Sequence, residues 1–383
     1  MRRVYLDNGS TSYPKAPGVG KTMMEFIEDV GCNVGRGGYK LSYSLAERII
    51  NAREKLCRLF NFDKVSNVIF TPNVTYSLNF LIAGLLKPGD HVITSSMEHN
   101  AVARPIEEAK NRGIEVDIAY CNNKGELDLS HFESLIQSNT KAVVMLHGSN
   151  VSGTLMPVEK VASICEKYDI YFILDAAQTA GVFDLDMKKI KIDALAFTGH
   201  KGLLGPQGIG GFLIEDKLAE SITPIIQGGT GSISDSLDMP DFLPDKFESG
   251  TLNIPGILGL STALDYILDK GIDNIRKREL RLTELFLEGI KNRDDITVIG
   301  LDTVDNRCAI VSLDFINRDN AELAFRLDDE YGIMTRCGLH CAPMAHKTLG
   351  TFPKGTVRFA FGHFNTEEEI YYTIDAIEKI LAL

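Results

Sequence analysis

What the chain lacks narrows its function before any motif is read. No apolar run approaches the 18 residues of a membrane-spanning helix, so no span is expected. The opening MRRVYLDNGS carries two arginines but no apolar segment behind them, which argues against a secretory signal. Basic residues are in deficit, 40 against 52 acidic ones, for a net charge of −12 at pH 7. That balance disfavours non-specific binding to nucleic acid or to anionic membranes. The seven cysteines are odd in number and irregularly spaced, with no pair of CxxC motifs. Reduced thiols in a cytoplasm fit this usage better than a disulfide framework. Internal repeats and low-complexity tracts are absent. APGVGKT is not a phosphate-binding P-loop either, because the first glycine of GxxxxGK[ST] would fall on Lys15.

What is present points to a two-domain α/β protein. A chain of 383 residues exceeds one ordinary core, and 44% apolar with 24% charged residues is a soluble globular composition. Two short apolar runs, 171–174 and 194–197, read as buried parallel strands. The first ends in Asp175 and Gln178, the second in Thr198, His200 and Lys201. Ligands of open α/β sheets bind at the carboxyl ends of strands, so these five side chains should share a crevice. A lysine after one strand and an aspartate after its neighbour suit pyridoxal phosphate. The lysine bonds the cofactor, and the carboxylate pairs with the ring nitrogen so that the ring can take up electrons. Gly199, Gly202, Gly205 and Gly208 would let backbone approach it closely. On spacing alone, an ordinary α/β protein with polar strand ends fits as well.

The remaining chain supplies further candidates. A short helix is expected over 21–30, with Met23, Ile27 and Val30 on one face, and a longer one through Leu45, Ile49, Ala52, Leu56 and Leu59. A strand at 68–70 runs into a helix that should start near Asn73. Helix N-termini after strands bind anions, so the amides of Val74 and Thr75 and the Thr75 hydroxyl could hold a phosphate; an ordinary Asn cap is the other reading. Strands at 91–94 and 142–146 would deliver His99 and Asn150 to the same crevice. Another strand is expected at 114–120, followed by a helix with Ser130 and Glu133 as a capping box, and a further helix over 158–168. Residues 228–253 form a lid or an intersubunit loop. From Gly256 the pattern becomes that of a smaller α+β domain. It comprises helices at 256–269, 271–292, 320–331 and from Thr366, and strands at 296–299, 308–315 and 356–361.

The motifs LDNGSTSYPKAP, DAAQ, TGHKGLLGPQGIG, ESGT, RCGLHCAP and VRFAFGHFNT occur in this order over nearly the whole chain. Together they resemble the class V aminotransferases, especially type II cysteine desulfurases and selenocysteine lyases. The resemblance implies the fold type I architecture of pyridoxal-phosphate enzymes, α/β with a mostly parallel, seven-stranded-type sheet sandwiched by helices. A large domain would span 15–255, and residues 256–383 with 1–14 would form the small α+β domain. It also implies roles. Lys201 bonds the cofactor and moves protons, Asp175 faces the ring nitrogen, and His99 stacks on the ring and handles protons near the substrate thiol. Val74, Thr75, Gln178, Thr198 and His200 complete the cofactor site, and Thr251 reaches the phosphate of a neighbouring subunit, which implies a homodimer with shared sites. Arg358, with Arg336 and Asn150, would hold the substrate carboxylate.

The pattern Arg-x-Gly-x-His-Cys-Ala places the sulfur nucleophile at Cys341, not Cys337. A short helix after Cys341, with Arg336 and His340 nearby, should favour its thiolate. A metal on Cys337, His340 and Cys341 is not expected, since structural zinc wants four such ligands and only His346 could be enlisted. A buried inert cysteine is the plainer alternative on residue type alone. One departure stands out: type II enzymes usually carry histidines where this chain has Gly35 and Tyr39. The function expected is that of a cysteine desulfurase, converting L-cysteine into L-alanine and a persulfide on Cys341 for a sulfur-acceptor protein. The alternative is a selenocysteine lyase, or another class V enzyme acting on a different amino acid.

Overall fold

The computed structural model describes residues 2–34, 38–233, 235–291 and 293–382; Gly35 lies outside them. The N-terminal part runs β1 (Val4–Tyr5), α1 (Val19–Glu25), α2 (Lys40–Leu59), β2 (Val68–Thr71), α3 (Val74–Leu85), β3 (His91–Ser95), α4 (Asn100–Asn111) and β4 (Glu115–Ala119). Next come α5 (Leu129–Ser134), β5 (Thr140–Leu146), α6 (Val158–Lys167), β6 (Tyr171–Asp175), α7 (Met187–Ile190), β7 (Ala194–Thr198), β8 (Gly210–Ile214) and α8 (Asp216–Ser221). The C-terminal part holds α9 (Ile254–Lys270), α10 (Ile272–Gly289), β9 (Ile296–Ile299), β10 (Ile310–Phe315), α11 (Asn320–Tyr331), β11 (Ile333–Met334), β12 (Arg336–Gly338), α12 (Pro343–Thr348), β13 (Thr356–Ala360) and α13 (Glu367–Leu381). No helix among the described residues is long and apolar enough to cross a membrane.

The central sheet has seven strands in the order β2-β8-β7-β6-β5-β3-β4. All neighbours from β7 to β4 pair in parallel, and β8 runs antiparallel to both β7 and β2. The strands read as unbroken apolar runs because both faces are covered. Phe172, Leu174, Leu195 and Phe197 pack on the side of α2, α6 and α9. Ile173, Ala194, Ala196 and Phe212 pack with α3 and α4 on the other side. The sheet is therefore mostly parallel and sandwiched, as expected.

A second, antiparallel sheet of order β12-β13-β10-β9 is covered by α10, α11 and α13. Val4 and Leu6 join its core, with β1 pairing in parallel to β11. Helix α9 instead buries Ile257, Leu260, Leu264 and Ile267 against the core that α2 shares with the central sheet.

Two local expectations are corrected. The helix over 21–30 is α1 followed by one π turn, Phe26–Val30, closed by the Gly31 N–H on the Phe26 carbonyl. The wider turn rotates the inward face onto Phe26, so Ile27 is 64% exposed while Met23 and Val30 still pack inward. Helix α5 is capped by Asp128, whose side chain accepts the His131 N–H, and Ser130 lies inside the helix. Asp outcompetes an internal Ser because only the residue before the first turn can reach those free amides.

A buried ion pair fixes the chain that returns from β8 to α9. Arg53 on α2 donates to both carboxylate oxygens of Glu248 at 2.7–2.9 Å, to the Val68 carbonyl, and lies over the Phe70 ring. Glu248 also accepts the Phe70 N–H at 2.6 Å. Both side chains are almost fully buried, so Glu248→Ala strands a guanidinium in the core. Urea unfolding should show a loss of about 3–5 kcal/mol. A loss below about 1 kcal/mol, the range of exposed pairs, would show that the pair is dispensable.

Candidate active site

The strand ends of the central sheet and the edge of the small sheet enclose a cleft of about 440 Å³. Thr75, His99, Thr198, Lys201, Arg336 and Arg358 line it, together with Val74, Asn150 and His200. Thus residues from the ends of β2, β3, β5 and β7 meet residues from β12 and β13. Asp175 is buried at the end of β6, where its carboxylate accepts the Ala177 N–H at 2.9 Å and its charge acts on Lys201.

At one end of the cleft stands the N-terminus of α3. The Asn73 side chain accepts the Tyr76 N–H, so it is a cap. No partner for the Val74 or Thr75 amide is found among the described residues. The cap and the anion site thus coexist: Asn73 serves the amide of the third helical residue and leaves the first two pointing at the cleft. Gly210 on β8 lets this helix end come so close, since a Cβ there would stand 2.8 Å from the Asn73 Cα.

Burial sets the protonation states. Lys201 is pushed down to about 8, chiefly by desolvation, with Arg358 and Arg336 adding to the effect and Asp175 opposing it. His99 falls to about 3, by desolvation first and the nearby cations second, and so stays neutral. Its Nδ1 accepts the Ala101 N–H at 3.0 Å, which leaves the proton on Nε2. Asp175 is raised by burial, and a cation at a bound ring nitrogen would hold it ionised. Beneath His99, Glu98 is fully buried and pushed up to about 8; it accepts the Leu146 N–H and ties the end of β3 to the end of β5.

Residues 7–15 lace the site together. Arg358 is buried, and donates to Asp7 at 2.6 Å, to the Ser10 hydroxyl at 2.8 Å and to the Asn150 carbonyl at 3.1 Å. Arg336 donates to the same Ser10 hydroxyl at 3.1 Å. The carbonyl of His200, just before Lys201, accepts from the Ser12 N–H at 2.8 Å and from Lys15 Nζ at 2.9 Å. Sequence reasoning missed the individual roles of Asp7, Ser10, Lys15 and Glu98. LDNGSTSYPKAP was a visible motif, but nothing in its spacing names arginines more than 300 positions away.

Cys341 sits on a strained turn. His340 and Cys341 have φ of +49° and +58°, the only adjacent non-glycine pair with positive φ among the described residues. Each such residue costs about 1–3 kcal/mol. The Cys341 thiol is exposed, and Arg336 Nη2 lies 3.3 Å from its sulfur. The short helix α12 follows as expected, but His340 does not assist the thiol as a cation. Its ring is buried and kept neutral by desolvation, and bonds Thr356. Cys337 packs against the core of the small sheet, and burial raises its thiol.

The residues present fit pyridoxal phosphate. Thr198 Oγ1 and His200 Nδ1 are buried without partners among the described residues, and both residues line the cleft beside Lys201 and the free amides of α3. Comparison with known proteins agrees. The class-V aminotransferase family model matches residues 4–372. The chain belongs to the class-V aminotransferase family. A probable cysteine desulfurase of Methanothermobacter thermautotrophicus is 33% identical, covering 99% of this chain and 95% of that one. A cysteine desulfurase of Haloferax volcanii is 31% identical over 98% of this chain and 88% of its own length. Among solved structures, the apo cysteine desulfurase of Thermococcus onnurineus NA1 superimposes with a TM-score of 0.93 at 31% identity, covering 99% of this chain and 95% of that chain.

Within this class-V fold, four expected site residues are not part of the cleft lining: Asp175, Cys341, Gln178 and Thr251. Gln178 donates to the Gly9 carbonyl at 3.0 Å and lines a smaller inner cavity that Lys201 also borders. Thr251 is exposed and lines a separate surface cavity with Tyr76, Ile226 and Phe247. Tyr39 is half exposed and is the extended cap residue just before α2.

The lowered lysine yields a pH prediction. Cofactor capture needs the neutral amine, and lowering the pKa to about 8 leaves that form abundant near neutrality. An ordinary lysine would be neutral to only about 0.1% at pH 7.4. The rate at which cofactor-free protein takes up pyridoxal phosphate, read from its visible absorbance, should rise with pH and level off above a midpoint near 8. A rate still climbing at pH ~10, as an unperturbed lysine requires, would contradict the desolvation argument.

Proposed function

We propose that the protein is a cysteine desulfurase that uses pyridoxal phosphate, with L-cysteine as substrate. The observation that carries this reading is the exposed Cys341 sulfur 3.3 Å from Arg336, which lines one cleft with Lys201 and Arg358. Lys201 would bond the cofactor, with Asp175 toward its ring nitrogen, His99 on its face, and Val74, Thr75, Thr198 and His200 around it. When bound, the cofactor supplies an electron sink for the substrate carbon. Arg358, Arg336 and Asn150 orient the substrate carboxylate, since planar guanidinium forks match it. Lys201, neutral in part near pH 7, moves the Cα proton. Cys341, as thiolate, attacks the substrate sulfur: a sulfur–sulfur bond forms and the carbon–sulfur bond breaks. The bonding pair stays with the carbon, which takes up a proton and leaves as alanine. A sulfur-acceptor protein then receives the persulfide sulfur.

The selenocysteine-lyase alternative is not favoured, because the Methanothermobacter and Haloferax relatives and the Thermococcus structure carry the desulfurase name. The proposed domains are 15–255 and 256–383 with 1–14; Val4 and Leu6 in the small core support the place of residues 1–14, while α9 packs with the central sheet and so argues for a seam at its end rather than at 255. A cytoplasmic setting accords with seven cysteines all unpaired.

Cys341→Ser should abolish persulfide formation and nearly all alanine release from cysteine, while retaining the visible absorbance of bound cofactor. Cys337→Ser should have a mild effect, since that thiol packs into the small core. Mass spectrometry of trapped persulfide decides; a persulfide on Cys337, or full turnover by the Cys341 variant, would refute the reading.

A homodimer with shared sites accords with Thr251, which is exposed and outside its own chain's cleft. Heterodimers of Lys201→Ala and Thr251→Ala subunits should then recover one intact site and measurable turnover. Exchanged heterodimers without any activity would count against a phosphate ligand donated across the interface.

A further inference from the structure

The turn that carries Cys341 is held in an unfavourable backbone state by bonds from outside itself. Gly338, His340 and Cys341 all have positive φ, and the turn closes through the Ala342 N–H on the Leu339 carbonyl at 2.8 Å. Gly, Asn, Asp and His enter that region more readily than other types, but cysteine is not among them, and two non-glycine residues in succession there add their costs. Something must therefore hold it. The His340 ring is 2% exposed and its Nε2 pairs with the Thr356 hydroxyl on β13 at 2.9 Å. The His340 carbonyl accepts from Asn150 Nδ2 at 2.7 Å. The Cys341 carbonyl accepts the Asn100 N–H at 2.8 Å. Gly355 backs the turn so closely that a Cβ there would lie 2.6 Å from the Gly338 backbone.

We propose that His340, Thr356 and Asn150 are positioning residues that clamp Cys341 in its left-handed turn, so that the thiol faces the cleft in a single attack geometry. This rests on the reading of Cys341 as the nucleophile. The clamp also joins the substrate end to the sulfur end of the site. Asn150 holds the His340 carbonyl with its side chain and accepts from Arg358 with its own carbonyl. Arg358 and the nucleophile's turn are therefore bound to opposite ends of one residue. Without the clamp the turn relaxes to negative φ, and the sulfur swings off line. Displacement of a reacting atom by about 1 Å can cost about 100-fold in rate, with little effect on the binding of substrate elsewhere.

The test compares substitutions at His340 in the holoenzyme. Both Ala and Gly delete the ring, but only Gly enters positive φ without strain. The clamp requires His340→Gly to retain at least about threefold more kcat for alanine release than His340→Ala, with KM within about twofold for both. A ring needed only as packing gives the opposite order, because Gly leaves the larger void and the floppier chain. Thr356→Val should lower kcat about tenfold or more at unchanged KM and unchanged cofactor absorbance. Thr356→Ser, which keeps the hydroxyl, should restore it. If the valine variant does not fold, the His340 pair still decides. Equal or reversed Gly and Ala rates, or losses confined to KM, overturn the clamp. A parallel Cys341→Ser arm separates the two levels. If that variant is inactive and the Gly–Ala order is reversed, only the clamp fails. If it is fully active, the nucleophile assignment fails and the clamp with it.

Discussion

The buried pair between Asp7 and Arg358 is the constraint on which the site depends. Arg358 is on β13 of the small sheet, and Asp7 follows a strand that completes the small unit's core. Their contact at 2.6 Å sets the N-terminal segment across the mouth of the central sheet. From there Ser10 reaches both arginines, Gly9 receives Gln178, and Ser12 with Lys15 holds the peptide that precedes Lys201. Arg336, Arg358 and Lys201 are thus registered to one stretch of nine residues, 7–15. A guanidinium buried this deeply is tolerable only because each face has a partner, apart from Nε, which is left free among the described residues.

Desolvation does the second half of the work. The same burial that makes the site rigid lowers Lys201 and His99, which favours the neutral forms that their proposed roles use, and raises Asp175, which a cation at a bound ring nitrogen would offset. Neutral imidazole can stack on a ring without repelling the cations around it, and a partly neutral lysine can accept a proton. These shifts come from position in the sheet rather than from dedicated partners. The groups at the ends of buried strands are therefore the ones whose protonation is shifted, while Cys341, which in the proposed reaction meets both a substrate and an acceptor, is on an exposed turn.

The strand ends were legible because buried parallel strands leave a plain signature, an apolar run stopped by polar residues. Asp175, Thr198 and Lys201 announce themselves in that way, as does the start of α3 at Asn73. The arginines and Cys341 were legible only through resemblance, since nothing local distinguishes Arg358 from any other strand arginine. What could not be read were couplings across the chain. Asp7 meets Arg358 across 351 positions, and Asn150 meets His340 across 190. Errors of local reading had local causes. One π turn rotated Ile27 out of its expected face, and Asp128 took the cap assigned to Ser130. His340 lies beside Cys341 in sequence, yet its ring is buried and bonded to Thr356 while the Cys341 thiol is exposed.

The most direct measurement is the unfolding free energy of Asp7→Ala, with cofactor retention followed in parallel. If the pair organises the site, removing the carboxylate leaves Arg358 buried and uncompensated, and stability falls by about 3 kcal/mol, the low end for a broken buried pair because Asp7 is partly exposed. Cofactor should then be lost at a lower denaturant concentration than in the parent, since the Lys201 peptide is moored to the same segment. Stability within about 0.5 kcal/mol of the parent, the ordinary scatter of surface substitutions, with cofactor release unchanged, would contradict the account.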